Sequence, residues 1–220
     1  EQMVFLSQVQ QGLAIKTAIE YWRSTKPRCM GTLYWQINDT YPVASWSSLD
    51  YGGQWKLLHY MAKRFFLPIN VVAVPEGDAV LFKLVNDTAA AASISLEVRA
   101  VDVAGHERVL HSGATSVSPD AAVVAFSLPN AALGAGEFLF FSWRDAAGKQ
   151  LGENDYFPRP YKAYDPEIDR TVAIKVLKDA LCIDDQPQLS RTPGTGSAHA
   201  SDVAGDGRGR RGGRPARRCP

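Results

Sequence analysis

The 220 residues carry 24 lysines and arginines against 23 aspartates and glutamates, a net charge of +1, so the chain as a whole offers no field that would draw in nucleic acid or an anionic membrane. A hydrophobic content of 45% with 10% aromatics is ordinary for globular proteins, and the length leaves room for one or two domains. Cysteines at 29, 182 and 219 fit neither a disulfide framework nor a zinc spacing, and no apolar run reaches the roughly 18 residues a membrane span requires.

Residues 3–24 place Val4, Leu6, Val9, Leu13, Ala14, Ala18, Ile19 and Trp22 mostly at three- and four-residue steps. This predicts an amphipathic helix with that stripe inward and Glu20 toward solvent. Gly12 inside it costs about 1 kcal/mol relative to alanine, which points to a close approach of another element. Lys26-Pro27 ends the helix. Because the pattern is already running at Glu1, the native N-terminus is expected upstream.

Gly31 to Ile37 is nearly continuously apolar, as in a strand buried on both faces of a parallel sheet. Asn38, Asp39, Thr40, Tyr41 and Pro42 close it with turn chemistry. A polar cluster at the C-terminal end of a parallel strand is where α/β folds place their ligand sites. Ser45 to Gly53 is expected as loop, and Gln54 to Phe66 as a second helix with Trp55, Leu58, Met61, Ala62 and Phe65 on one face. An indole such as Trp35, next to amide and carboxylate hydrogen-bonders, suits the C–H face and hydroxyl rim of a sugar. The same residues also suit a core-filling Trp35 and a turn capped by Asn38 and Asp39, and composition leaves both open.

After Pro68 the period drops to two. Strands are expected near 70–74, 79–85, 93–101, 107–116, 121–127, 136–144 and 149–157, separated by Asn, Asp, Gly and Pro turns. Seven short strands in about ninety residues suit an immunoglobulin-like sandwich with Trp143 in its core. Residues 159–190 form a connector, with a further strand starting at Thr171 to Ile174. Residues 191–220 hold seven arginines and almost no large aliphatics, so they are expected to be disordered. That tail reads either as a basic nucleic-acid arm or as a non-native terminus, and the break in the strand pattern before it favours the second reading.

His59, His106, His111 and His199 lie at no metal-ligand spacing, so no metal and no cofactor is expected. No phosphate loop, nucleophile elbow or CxxC occurs. Between residues 2 and 75 the only carboxylates are Glu20, Asp39 and Asp50, too few to assign a catalytic pair.

The segments Gln8 to Gln11, Glu20 to Arg23, Gly31 to Asp39, Ser45 to Tyr51 and Trp55 to Tyr60 resemble glycoside hydrolase family 2 in its β-mannosidase branch. The likeness is strong over residues 1–66 and weaker over 67–170. It implies a mixed fold. Residues 1–66 would be the last βα unit of a (β/α)8 barrel, 67–158 an immunoglobulin-like β-sandwich, and 159–190 the start of a truncated β domain ahead of the disordered basic tail. It further implies retaining hydrolysis of a terminal β-mannoside. Trp35 would lie in the subsite for the non-reducing mannose, with Asn38, Asp39 and Trp46 near it. The two catalytic glutamates would precede residue 1, so the fragment alone is expected to be inactive, and its partner would be the missing N-terminal part of the same enzyme. The resemblance leaves the compartment open among periplasmic, secreted and lysosomal. The alternative is a non-catalytic carbohydrate-binding or interaction module on the sandwich, which needs an exposed aromatic platform among Phe126, Phe138, Phe140, Phe141 and Trp143.

Overall fold

The computed structural model describes residues 2–134, 136–158, 161–165 and 170–174, the last two stretches as backbone. The expected basic tail lies outside these residues, as does most of the connector. Within the connector, a hairpin pairs Tyr161–Asp165 with Arg170–Ile174.

Seven antiparallel strands form the expected sandwich. In chain order they are β1 (Ile69–Glu76), β2 (Ala79–Asn86), β3 (Ala92–Val101), β4 (Glu107–Val117), β5 (Ala121–Pro129), β6 (Phe138–Arg144) and β7 (Gln150–Tyr156). One sheet has the order β1-β2-β5 and the other β4-β3-β6-β7, so the chain changes sheets after β2, after β4 and after β5. The period-two pattern dictates this packing. On β3, Ala92, Ile94, Leu96, Val98 and Ala100 point inward while Ser93, Ser95 and Glu97 point out. They meet Val80, Phe82 and Leu84 of β2 and Leu139, Phe141 and Trp143 of β6 in one core. Burying each large side chain there contributes about 1.5–3 kcal/mol. Phe82 meets Phe141 edge to face at 5.0 Å, a favoured aromatic geometry. Trp143 is fully buried and its Nε1–H donates to the Ile69 carbonyl at 3.2 Å, so the indole is satisfied as well as packed.

Two helices lie against this sandwich: α1 (Gln2–Ser24) and α2 (Leu57–Phe65). They share a small apolar core of Ile19, Leu58, Ala62 and Phe65. A Cβ on Gly12 would come within 2.4 Å of Met61 Sδ, which is the close approach that the glycine implies. Tyr21 of α1 covers Val72, Val74 and Val85 on the outer face of the first sheet, so β1 is buried on both sides.

Several local expectations are corrected. The segment 31–37 forms no strand. It pairs with no other strand among the described residues, and a parallel strand needs a neighbour to complete its ladder. Glu20 does not face solvent but is buried at the sandwich contact, because β7 packs on the polar side of α1. Trp22 and Val4, expected inward, are exposed. The second helix begins at Leu57 rather than Gln54, because residues 50–54 form a turn. In it Asp50 N–H donates to the Gln54 carbonyl, Gly53 N–H donates to the Asp50 carbonyl, and Gly53 has a φ of +83°. The Gln8 side chain of α1 then accepts from Leu57 N–H at 3.1 Å, serving as the cap.

Gly152 of β7 lies against the core tryptophan. An added Cβ would fall 2.3 Å from Trp143 Cζ2 and 2.9 Å from Leu67 Cδ1. Gly152→Ala is expected to destabilise the sandwich by about 1–3 kcal/mol through overpacking. Urea unfolding followed by far-ultraviolet circular dichroism measures this, and an unchanged midpoint would contradict the packing described.

Candidate functional site

The loop from Thr32 to Lys56 carries the sequence-predicted site residues. Trp35 is 70% exposed and Trp46 is 62% exposed, so neither fills a core in this chain. Both present their indoles to solvent from backbone that is tightly fixed. Ser48 N–H donates to the carbonyl of Gln36, next to Trp35, at 3.1 Å, and Leu49 N–H donates to the Ile37 carbonyl at 2.7 Å. The Trp46 carbonyl accepts from Gln11 Nε2 of α1 at 2.7 Å. Asn38 is exposed, and its amide bonds only locally, to the Asp39 carbonyl at 3.2 Å.

Asp39 is different. Its side chain is almost wholly buried, and one carboxylate oxygen accepts from the Ser45 hydroxyl. The other accepts from Lys56 Nζ at 2.9 Å. Lys56 also donates to Ser47 Oγ at 2.7 Å, and Ser47 Oγ donates to the Leu49 carbonyl at 2.7 Å. Hydrogen bonds from Ser45 and Lys56 hold the Asp39 carboxyl down at about 2. In this arrangement Asp39 organises the loop, with both oxygens engaged by the protein itself. The residues around it, Ser45, Ser47 and Lys56, were not assigned roles from sequence. The signal was present as a run of three serines around Trp46 and a lysine immediately before an apolar helix.

A second polar knot centres on Ser48. Its oxygen lies 2.8 Å from the Tyr34 hydroxyl, 3.0 Å from the Ile37 carbonyl and 3.0 Å from His59 Nδ1. The carbonyl can only accept, so it takes the single serine proton. Tyr34 and His59 must then donate, which assigns the Nδ1–H tautomer to His59. Beside this knot opens a cleft of about 650 Å³, lined mainly by Leu33, Tyr34, Ile37, Trp55, His59 and Phe66. Its walls are largely apolar. No group of three or more potential metal ligands occurs among the described residues. No described helix is long and apolar enough to cross a membrane.

On the sandwich, Phe141 and Trp143 are core and Phe126 and Phe138 are half-buried. Only Phe140 of the five candidate aromatics is exposed, at 39%, and it packs edge-on to Phe157. The described sandwich therefore has no flat aromatic platform comparable to the pair on the loop.

No family model matches the chain. Curated relatives do. The β-mannosidase of Capra hircus is 41% identical over 103 residues, which is 44% of this chain and 12% of that protein. The β-mannosidase of Mus musculus is 47% identical over 73 residues, 30% of this chain and 8% of that protein. Among solved structures, the β-D-mannosidase from Dictyoglomus thermophilum superposes with a TM-score of 0.64 at 32% identity, over 69% of this chain and 19% of that one. An exo-chitosanase from Amycolatopsis orientalis, at 19% identity and a TM-score of 0.59, covers 71% of this chain and 20% of its own, and shares the fold. The chain thus spans about a twelfth to a fifth of the length of these relatives. Curated β-mannosidases and a solved β-mannosidase structure alike match part of this chain, and the chain is similar to a segment of such enzymes.

Because Asp39 is held below the usual carboxylate value of about 3.9, its contribution to loop stability is complete above that value and is lost as pH falls through about 2. Carbon-13 NMR of the Asp39 carboxyl is expected to show a midpoint near 2, with the Ser47 and Leu49 amides moving in step. Ser45→Ala should move that midpoint upward. A wild-type midpoint near 4 would contradict the buried network.

Proposed function

We propose that this chain is the C-terminal portion of a retaining β-mannosidase of glycoside hydrolase family 2, which removes terminal β-D-mannose from oligosaccharides or glycoproteins. In this reading residues 1–66 are the last βα unit of a (β/α)8 barrel, in which residues 31–37, unpaired here, take their strand partners from the rest of the barrel. Residues 67–158 are the immunoglobulin-like domain that follows it, 159–190 lead toward a further β domain, and 191–220 form a disordered tail. The observation that carries the reading is the solvent-presented pair Trp35 and Trp46. They stand on a loop whose backbone is pinned by buried polar bonds, within the segments whose sequence resembles the β-mannosidase branch. An indole offers an apolar face to the C–H side of a pyranose, and the neighbouring Asn38 amide can meet its hydroxyls. Asp39 contributes from beneath by holding the loop in shape.

Retaining hydrolysis requires a nucleophile and an acid/base carboxylate about 5–5.5 Å apart. The three described carboxylates of the helix-and-loop part do not offer such a pair. Glu20 is buried against Lys16 and Asn154, Asp39 is saturated, and Asp50 accepts from Gln54 N–H at 2.8 Å within a turn. As the family resemblance implies, the two glutamates belong to the rest of the enzyme, and the chain contributes one wall of the mannose subsite.

The purified 220-residue chain is expected to leave p-nitrophenyl β-D-mannoside intact, while the protein extended upstream through the rest of the barrel hydrolyses it. Trp35→Ala in the extended protein should lower kcat/KM by about 10- to 100-fold, the loss of an aromatic anchor. Turnover by the short chain would refute the assignment of the carboxylates, and an inactive extended protein would refute the reaction.

A further inference from the structure

We propose that Lys56 is a positioning residue for the indole wall of Trp35 and Trp46, a role that rests on the sugar-binding reading above. The Lys56 side chain is 14% exposed, and its ammonium bridges two separate parts of the loop. One is Asp39, which follows Asn38 at the end of the Trp35 segment, at 2.9 Å. The other is Ser47, the residue after Trp46, at 2.7 Å. Ser45, the residue before Trp46, closes the ring through its hydroxyl, which bonds Asp39 and lies 3.1 Å from Ser47 Oγ. Trp46 is thus flanked on both sides by serines that belong to the Lys56–Asp39 cluster, while its own indole makes no part of that cluster.

The backbone of Lys56 is fixed too. Its N–H donates to the Ser48 carbonyl at 2.9 Å, and it stands in extended conformation immediately before α2. The ammonium therefore projects from the rigid start of a helix rather than from the loop it organises. A half-buried lysine facing a buried aspartate is favourable only while both partners are present, and removing the lysine leaves the aspartate unpaired in a poorly solvated place. This makes the arrangement of the Trp46 turn depend on a residue that touches neither indole. Arginine could keep the charge but not the compact three-way fit of an ammonium, so it should replace lysine only in part.

The test labels the 220-residue chain with 5-fluorotryptophan and assigns each fluorine line by Trp→Phe substitution. In Lys56→Met the Trp46 line is expected to shift or broaden, while the line of Trp143, deep in the sandwich, stays in place and reports that the fold persists. Lys56→Arg should restore the Trp46 line in part. Combining Asp39→Asn with Lys56→Met removes both charges together and should disturb it less than Lys56→Met alone. A Trp46 line unmoved in Lys56→Met overturns the proposal. In the extended enzyme, Lys56→Met should raise KM for p-nitrophenyl β-D-mannoside about tenfold with kcat changed less than about threefold. An unchanged KM in an active enzyme also overturns it. If Lys56→Met moves the Trp46 line but the extended wild type has no mannosidase activity, the positioning role stands and the reaction assignment falls.

Discussion

The buried guanidinium of Arg23 is the interaction on which the arrangement of helices and sandwich depends. At the end of α1 it donates to the Phe65 carbonyl and, at 2.7 Å, to the Leu67 carbonyl, two acceptors at and beyond the end of α2. It also donates twice to Asp87, in the turn after β2, at 3.1 and 2.7 Å. Three pieces of chain far apart in sequence are tied by one side chain. Carbonyls at a helix C-terminus lack partners within the helix, and a cation there complements the dipole, so both needs of α2 are met at once. Lys26 pairs with the same Asp87, and Asn70 adds a donor to the Phe65 carbonyl at 3.3 Å. A planar fork with five donors suits such a junction in a way that a lysine would not.

A second polar strut lies further up α1. Glu20 accepts from Lys16 at 3.1 Å and from Asn154 of β7 at 2.9 Å, while Asn154 also reaches the Val71 carbonyl. Burial pushes the Glu20 carboxyl up, and the Lys16 charge and Asn154 amide counter that push. The Glu20 side of α1 therefore meets the sandwich at β7, Tyr21 covers Val72, Val74 and Val85 of the first sheet, and Ile19 packs against α2. The contact at β7 is made by an ion pair and an amide, so a stripe drawn from apolar spacing alone misplaced Glu20.

The sandwich was legible because its signal is local. Alternation along β3, turn residues between strands and a tryptophan in step with Leu139 and Phe141 are each visible in a few consecutive residues, and the two sheets then follow from burying one face of every strand. The segment 31–37 was misjudged for the opposite reason. Its apolar run suits a strand, but a strand is a relation to neighbours, and no strand among the described residues pairs with it. The exposed residues are nevertheless the alternate ones, Leu33, Trp35 and Ile37. In the candidate site, Trp35 was singled out by its chemistry and Trp46 by the family resemblance, but the burial of Asp39 was visible in neither. It depends on Lys56 and Ser45 folding over it, contacts between residues six and seventeen apart that no spacing rule encodes.

The contrast between Asp39 and the two tryptophans bears on what such a loop can do. In a folded chain, large aromatics are ordinarily covered and carboxylates ordinarily solvated. Here the carboxylate is covered and the indoles are out. Covering Asp39 requires the hydrogen bonds of Ser45 and Lys56, and without them burial would favour its neutral form. Exposing the indoles forgoes their burial, on the order of 2 kcal/mol for a large apolar side chain. A loop that inverts both preferences is stabilised from below by its polar anchor and left unsatisfied above, which is the condition under which an incoming apolar face gains most by binding. On the proposed reading that face is the C–H side of a mannose ring. The anchor is intrinsic to this segment, so on that same reading the wall takes its shape from residues of this chain, and substrate orientation and bond cleavage are supplied by different parts of one protein.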